Sequence, residues 1–276
     1  MIAVRRLWCR RPACTVQPRR PHHKTLKQFL DCRYACVELK RGDRMRTSLA
    51  RLSVLTICIS AAAAGCGKFS ETADEALKKG DAARAKGDWD SAVAEYSNAI
   101  RLDPKLVHAY DGRGEVFLRK GQSDRAIADY SEAIRLDPKY ARAYCGRGLA
   151  LAKKGELDKA IIEYTDAIRL DPKYGWAYGS RGDAYRQQGK LELAIADLSE
   201  AIQVDPKLAK AYCGRGVAYQ KIGKLDEALA DLSEAIRLSP KHADAYWYRG
   251  KVYKQKGDLD KANKDFAEAE RLRRKP

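Results

Sequence analysis

The fold is decided by the stretch VHAYDGRGEVFLRKGQSDRAIADYSEAIRLDPKY at residues 107–140, because the next 34 residues, ARAYCGRGLALAKKGELDKAIIEYTDAIRLDPKY, repeat its pattern. Five prolines keep the same interval of 34 residues along the chain: Pro104, Pro138, Pro172, Pro206 and Pro240. A fixed period of this length is typical of a helical repeat array. The sequence therefore predicts an all-α chain of six units, at 73–106, 107–140, 141–174, 175–208, 209–242 and 243–276.

Each unit has the pattern of two helices joined by a short turn. Position 8 is always glycine, positions 20 and 27 are always alanine, and position 15 is again glycine. Small residues at positions 8, 20 and 27 allow two helices to approach closely, and the glycine at position 15 allows the left-handed geometry that ends a helix. An acidic residue at position 18 suits the first turn of the second helix. The Asp-Pro pair near the end of most units then interrupts the chain before the next unit.

This combination of small and aromatic positions resembles the tetratricopeptide repeat over all of residues 73–276. The resemblance implies a right-handed superhelical solenoid of six helix-turn-helix units, with a concave face lined mainly by the first helices. It also implies that a protein or peptide partner binds there, chiefly through positions 2, 5, 9, 12 and 13. The candidate protein-binding residues on those positions are His108, Asp111, Glu115, Arg142, Cys145, Trp176, Asp183, Lys210, Cys213, Trp247, Lys251 and Lys254.

These candidate positions vary between units while the packing positions do not. Trp176 and Trp247 lie among basic residues, as anchors for a peptide would, although the same rings could instead cover the edge of the groove. Position 5 carries no lysine in any unit, so the carboxylate-clamp pattern of chaperone-binding relatives is missing. A co-chaperone that binds chaperone tails is therefore disfavoured.

One departure from the family pattern predicts a ladder of ion pairs. Position 7 is basic and position 23 is acidic in every unit. An unpaired arginine at such a site would be costly, so the two positions are expected to face each other, across the helix pair or across the repeat junction, rather than form a phosphate-binding stripe. The predicted pairs are Lys79–Glu95, Arg113–Asp129, Arg147–Glu163, Arg181–Asp197, Arg215–Asp231 and Arg249–Asp265.

The two ends of the array are predicted to differ from its middle. In the sixth unit Glu270 and Asn263 replace apolar residues of earlier units, which makes this unit a plausible solubility cap. At the other end, Thr72 and Glu75 have the spacing of a capping box that begins the first helix.

The residues ahead of the repeats resemble a bacterial lipoprotein signal. Basic residues after Met45, an apolar run at 52–64 and Ala63-Ala64-Gly65-Cys66 predict a signal peptide at 45–65 and lipid attachment at Cys66. The apolar run is short for a transmembrane helix, which is the alternative interpretation. Residues 66–72 would then be a tether, and 1–44 an upstream extension of the reading frame or a disordered leader.

Charge and cysteine content exclude several functions. Residues 1–65 hold 14 of the 54 basic residues and 3 of the 37 acidic ones, so they carry +11 of the formal charge of +17. The repeats are therefore only mildly basic, which disfavours nucleic-acid binding. The cysteines of 1–44 match no compact zinc pattern. Cys145 and Cys213 lie two units apart and are predicted to be free thiols, because a disulfide needs nearby Cα atoms.

No catalytic residues, metal site, cofactor or small-molecule substrate are predicted. His108 and His242 fall in different units, and neither has a nucleophile at a spacing that suggests catalysis. Two classes of function remain. The first is a non-enzymatic adaptor, lipid-anchored in the bacterial cell envelope and similar in layout to the lipoproteins that help assemble pilus secretins. The second is a soluble cytoplasmic scaffold or co-chaperone-like adaptor.

Overall fold

The structure, a computed structural model, describes residues 71–274. The leader at 1–44, the signal at 45–65, Cys66 and most of the tether lie outside the described residues. Within 71–274 the chain forms twelve α-helices and no strands, so the predicted all-α fold of helix-turn-helix units is confirmed. The helices are α1 (Ala73–Ala85), α2 (Trp89–Leu102), α3 (Val107–Arg119), α4 (Ser123–Leu136), α5 (Ala141–Lys153), α6 (Leu157–Leu170), α7 (Gly175–Gln187), α8 (Leu191–Val204), α9 (Ala209–Lys221), α10 (Leu225–Leu238), α11 (Ala243–Gln255) and α12 (Leu259–Arg274).

Local sequence explains where these helices begin and end. All six glycines at position 15 have positive φ angles, between 74° and 83°, which favour glycine because it has no Cβ. Thr72 and Glu75 form the predicted capping box at the start of α1. Asp103, before Pro104, is extended and ends α2, as expected for a residue that precedes proline. Each helix is therefore confined to its own part of the 34-residue period.

The core depends on one large side chain per unit at position 24. Tyr130 lies between Gly114 of its own unit and Gly146 of the next. A Cβ atom built on Gly146 would come within 2.5 Å of the Tyr130 ring, and one on Gly114 within 3.1 Å. The ring therefore fills the space between three helices, and it is buried with an exposed fraction of 3%. The same side chain thus holds a unit together and joins it to its neighbour.

The helices pack in strict succession. Each first helix packs against the second helix of its unit, and each second helix packs against the first helix of the next unit. First helices of adjacent units also touch one another along most of the array. This connectivity is that of a solenoid, in which each unit is stabilised by its nearest neighbours.

Five of the six predicted ladder pairs are present. Arg113 donates from Nε and Nη2 to the two carboxylate oxygens of Asp129, at 2.8 Å each. The same bidentate geometry, at 2.7–2.9 Å, joins Arg181 to Asp197, Arg215 to Asp231 and Arg249 to Asp265. Arg147 makes a single bond of 2.8 Å to Glu163, and its Nε is buried without a partner.

The ladder also crosses the junction between units, through hydroxyl partners that the sequence pattern did not predict. Arg113 Nη1 donates to the hydroxyl of Ser97 on the second helix of the preceding unit, at 3.0 Å. Equivalent bonds of 3.0–3.2 Å occur at the next four junctions. The hydrogen bonds to Asp129 raise the pKa of the Arg113 guanidinium. Each arginine is therefore a charged link between three helices rather than a free phosphate-binding group.

The predicted Lys79–Glu95 pair is wrong. Lys79 Nζ pairs instead with Glu71, at 2.6 Å, and the other oxygen of Glu71 accepts a bond of 2.7 Å from Asn98. The repeat pattern begins with the unit that contains Lys79, and lysine lacks the forked geometry of arginine. The carboxylate just before α1 therefore takes the place that a preceding unit has elsewhere in the ladder.

Candidate functional site

A groove with a volume of about 920 Å³ lies across the first helices of the second, third and fourth units. Sixteen of its nineteen lining residues belong to α3, α5, α7 and α9. The remaining three are Tyr130, Tyr164 and Tyr174, whose hydroxyl pKa values are raised by burial. We call this surface the central groove. It has the position that the family resemblance implied for partner binding.

Seven of the twelve candidate protein-binding residues line the central groove. They are Asp111, Glu115, Arg142, Cys145, Trp176, Asp183 and Lys210. The other five do not. His108 is exposed and meets the ring of Tyr140 edge-on at 5.5 Å, while Cys213, Trp247, Lys251 and Lys254 belong to the fifth and sixth units.

The acidic wall of the groove is neutralised by arginines. Asp111 is buried; its carboxylate forms an ion pair with Arg142 Nε at 3.0 Å and accepts a hydrogen bond from the Tyr140 hydroxyl at 3.2 Å. Burial raises the pKa of the Asp111 carboxyl, and the Arg142 guanidinium offsets part of that rise. Glu115 pairs with Arg142 at 3.2 Å and also with Arg84. The Asp111 carboxylate thus holds Arg142 in place and is not exposed to a ligand.

The two cysteines of the candidate set are also buried. Cys145 and Cys213 are 2% and 7% exposed, and both are free thiols as predicted. Burial raises the pKa of Cys145 to about 11 and that of Cys213 to about 12. Interactions with the Ser180 and Tyr174 side chains offset only part of this rise in the pKa of Cys145. A thiol held neutral in this way is a poor nucleophile, and either residue can influence a partner only through the shape of the surface above it.

The two tryptophans of the candidate set differ in exposure. Trp176 is 47% exposed, and Lys210 Nζ lies over its ring at 5.1 Å. Trp247 is half-buried, packs on Phe266 at a ring distance of 4.9 Å, and is covered by the Arg273 guanidinium at 5.2 Å. Arg273 also pairs with Asp244 at 2.7 Å, close to the end of the last described helix. Of these two tryptophans, the exposed one is therefore Trp176, which lines the central groove.

Several groove residues were missing from the candidate set. Leu149 and Lys153 occupy positions 9 and 13, which the resemblance does assign to partner contacts. Tyr130 and Tyr164 look like packing residues in the sequence, and both are buried side chains that also line the groove. Tyr174 lies at position 34, where the side chain changes from unit to unit. That variation is the one signal in the sequence that could have identified it.

The described residues show no arrangement that would hold a metal ion. Among residues 71–274 no three His, Cys, Asp or Glu side chains are grouped in a way that could bind one. In the same range, no helix combines the length and the apolar character needed to cross a bilayer. What the groove does offer is one exposed aromatic ring, exposed aliphatic surface and several charges of both signs.

Family models for the tetratricopeptide repeat match most of the array. One model, described as TPR repeat, matches residues 80–121, 114–155, 182–223 and 221–257. Three further tetratricopeptide repeat models match 141–174, 163–196 and 243–276. None of the curated proteins compared with the chain matches it.

Solved structures with the same fold include proteins of different organisms and sizes. A MamA protein is 30% identical, with a TM-score of 0.50 over 63% of this chain and 96% of its own. Cut9, in a complex with Hcn1, is 21% identical with a TM-score of 0.71, and this chain spans only 42% of its length. PilF of Pseudomonas aeruginosa is 17% identical, with a TM-score of 0.63 over 72% of this chain and 91% of its own. At these identities Cut9 and PilF show the fold alone.

Proposed function

Because the chain belongs to the tetratricopeptide repeat family, we propose that it is a non-enzymatic interaction scaffold that holds a peptide segment of a protein partner in the central groove. Proteins of this family serve as protein-interaction scaffolds. The observation that carries the proposal is the groove of about 920 Å³ across α3, α5 and α7, with the partly exposed side chains of Leu149 and Trp176 on its surface. Concave surfaces that combine apolar and convergent polar groups are preferred binding sites.

The chemistry of the groove supports binding rather than catalysis. Its one thiol, on Cys145, is buried, and its pKa is raised, so little thiolate is present at neutral pH. His108 lies outside the lining, against Tyr140. The carboxylates of Asp111 and Glu115 are held by arginines, which suits a rigid recognition surface better than proton transfer.

Site-specific photo-crosslinking tests the location of the binding site. A photoreactive phenylalanine analogue at Leu149 should give a discrete crosslinked species in the native host. The same analogue at Ile162, which is 61% exposed on the second helix α6, is the matched control. Addition of Trp176→Ala to the Leu149 probe should remove the species. Equal crosslinking from both positions, or none from Leu149, would contradict the groove as the binding site.

We propose further that the scaffold is lipid-anchored in the bacterial cell envelope through Cys66. The support is the sequence Ala63-Ala64-Gly65-Cys66 after a short apolar run, together with only a few residues between Cys66 and α1. Such a short tether would hold the repeats near the membrane. Metabolic labelling with palmitate should mark the wild-type chain but not Cys66→Ser. An unlabelled wild-type chain in the soluble fraction would favour the cytoplasmic scaffold instead.

A further inference from the structure

The carboxylates that line the central groove already have partners within the chain. Asp111 and Glu115 share the Arg142 guanidinium, and Asp183 pairs with Arg186 at 3.0 Å. A basic ligand would have to displace an arginine from one of these pairs. The displaced arginine would then need a new partner in a partly desolvated site, which is unfavourable. The groove is thus a poor site for a cationic peptide in spite of its acidic residues.

Two lysines of the groove have no carboxylate partner within the described residues. Lys153 Nζ donates to the backbone carbonyl of Leu118 at 2.9 Å, and Lys210 Nζ lies over the Trp176 ring at 5.1 Å. Both lysines are exposed. A carbonyl oxygen and an aromatic face are weak partners for an ammonium group compared with a carboxylate. These two groups therefore leave the groove with unsatisfied positive charge.

Each of these lysines lies beside exposed apolar surface. Leu149, 37% exposed, is four residues before Lys153 and therefore lies on the same face of α5. Trp176, 47% exposed, is in contact with Lys210. The groove thus presents two cationic ends with an aliphatic and an aromatic side chain between them. Exposed aromatic rings beside charged groups are common anchors in protein interfaces.

We propose that the central groove selects an extended acidic segment of a partner protein, with carboxylates at both ends and a bulky apolar side chain between them. The carboxylates bind Lys153 and Lys210, and the apolar side chain packs on Leu149 and Trp176. This inference rests on the proposed function, because it specifies the ligand of the same groove. The unpaired lysines and the internally paired carboxylates together set the charge of the ligand.

The positions of the two lysines also set the length of the segment. Lys153 is in the last turn of α5 and Lys210 in the first turn of α9, two units further on. The helical rise gives an offset of about 16 Å along the helices, and two helix spacings add roughly 18 Å across them. The diagonal is on the order of 25 Å, which an extended strand covers with about eight residues.

A selection from random octapeptides tests this inference on the purified full-length chain. The peptides are displayed within a loop of a carrier protein, so that no free terminal carboxylate takes part. We expect the selected peptides to be enriched in Asp and Glu near their ends and in aromatic or large aliphatic residues near their centre. The selection on the double variant Lys153→Gln/Lys210→Gln should lose the acidic enrichment. The matched control is Lys241→Gln/Lys264→Gln, which removes the same charge from exposed positions outside the lining.

Binding of one selected peptide, measured by fluorescence anisotropy, then gives the size of the effect. The double variant Lys153→Gln/Lys210→Gln should weaken binding at least about tenfold and flatten its salt dependence, while the control variant should leave both unchanged. Enriched peptides without acidic residues, or equal binding by the two double variants, would contradict the proposal that the ligand is acidic. The proposal that the groove binds a peptide would still stand. A selection that enriches no peptide on the wild-type chain would overturn both.

Discussion

The arginine ladder and the central groove both contain arginine–carboxylate pairs, but these pairs are arranged in different ways. In the ladder, an arginine at position 7 meets a carboxylate 16 residues later, and this repeats from Arg113–Asp129 to Arg249–Asp265. In the groove, Arg142 joins Asp111 and Glu115 once, because only the second and third units carry these residues. The ladder couples units to one another, whereas the groove belongs to one part of the array.

Removing a carboxylate from the ladder should have the largest effect on stability. Asp231→Ala leaves Arg215 without its bidentate partner, where only 20% of its side chain is exposed. We expect the free energy of unfolding to fall by about 3 kcal/mol, because an uncompensated, partly buried charge is costly. Urea denaturation of the full chain measures this change.

Asp226→Ala is the matched control for the ladder variant, because Asp226 is on the same helix and also forms an ion pair, in this case with Lys256. Its side chain is 83% exposed, so its loss should cost only a small fraction of the effect of Asp231→Ala. Equal losses for the two variants would mean that the ladder is no more important than an ordinary surface ion pair.

Adding a methyl group at a core glycine that contacts an aromatic ring should have the next largest effect on stability. Gly148→Ala places a Cβ atom 2.6 Å from the Tyr164 ring, and we expect a loss of about 2 kcal/mol from overpacking. Gly179→Ala, also in a first helix, meets nothing closer than 3.6 Å and should be neutral or stabilising. A thermal or urea midpoint that moves the same way in both variants would contradict this account of the core.

The single-bonded pair in the ladder predicts a stabilising substitution. Glu163→Asp should allow Arg147 to make the bidentate contact found at the other arginine–aspartate pairs and so satisfy its buried Nε. The gain should be on the order of 1 kcal/mol. The reciprocal change, Asp129→Glu, should lose a similar amount at the preceding pair. Destabilisation by Glu163→Asp would show that the shorter side chain does not reach Arg147.

A groove substitution should have the smallest effect on stability and a large effect on binding. Trp176→Ala removes a half-exposed ring, so the free energy of unfolding should change by less than about 1 kcal/mol. Binding of a peptide selected on the wild-type chain should nevertheless be lost. Urea denaturation and fluorescence anisotropy on the same preparation separate the two effects. Retained binding would show that Trp176 covers the groove edge and does not anchor a ligand.

The ladder could be predicted from sequence because it repeats with the packing. Positions 7 and 23, which are Arg113 and Asp129 in the second unit, keep the same spacing in every unit. The repeated backbone geometry therefore brings their side chains within hydrogen-bonding distance of each other. The partner of Lys79, in the first unit, could not be predicted in this way. Lys79 is in the first unit of the repeat pattern, and its partner is Glu71 from the segment just before α1. The reading of positions 2, 5, 9, 12 and 13 as partner contacts identified seven residues that do line the central groove.

The burial at position 5 required the tertiary structure, because it depends on the next unit. Asp111 is covered by Tyr140, the last residue of its own unit, and by Arg142 of the next unit. Cys145 lies in the same way beside Tyr174, the last residue of its unit, and beside Ser180 of the next. A residue that looks like a ligand contact within its own unit is thus enclosed by a neighbour whose side chains vary. Trp176 and Trp247 also differ in exposure, because Phe266 and Arg273 of its own unit cover Trp247, whereas Trp176 is 47% exposed beside Lys210 of the next unit.

The sequence by itself determined the period, the helix ends and the ladder, because these depend on backbone geometry and on contacts that recur every 34 residues. The tertiary structure decided which groove charges are already paired and which remain available. Pairing across a unit junction depends on the particular side chains of two successive repeats, such as Arg142 with Asp111 or Lys210 with Trp176. A periodic pattern carries no information about such single contacts, and it is these contacts that set the character of the groove.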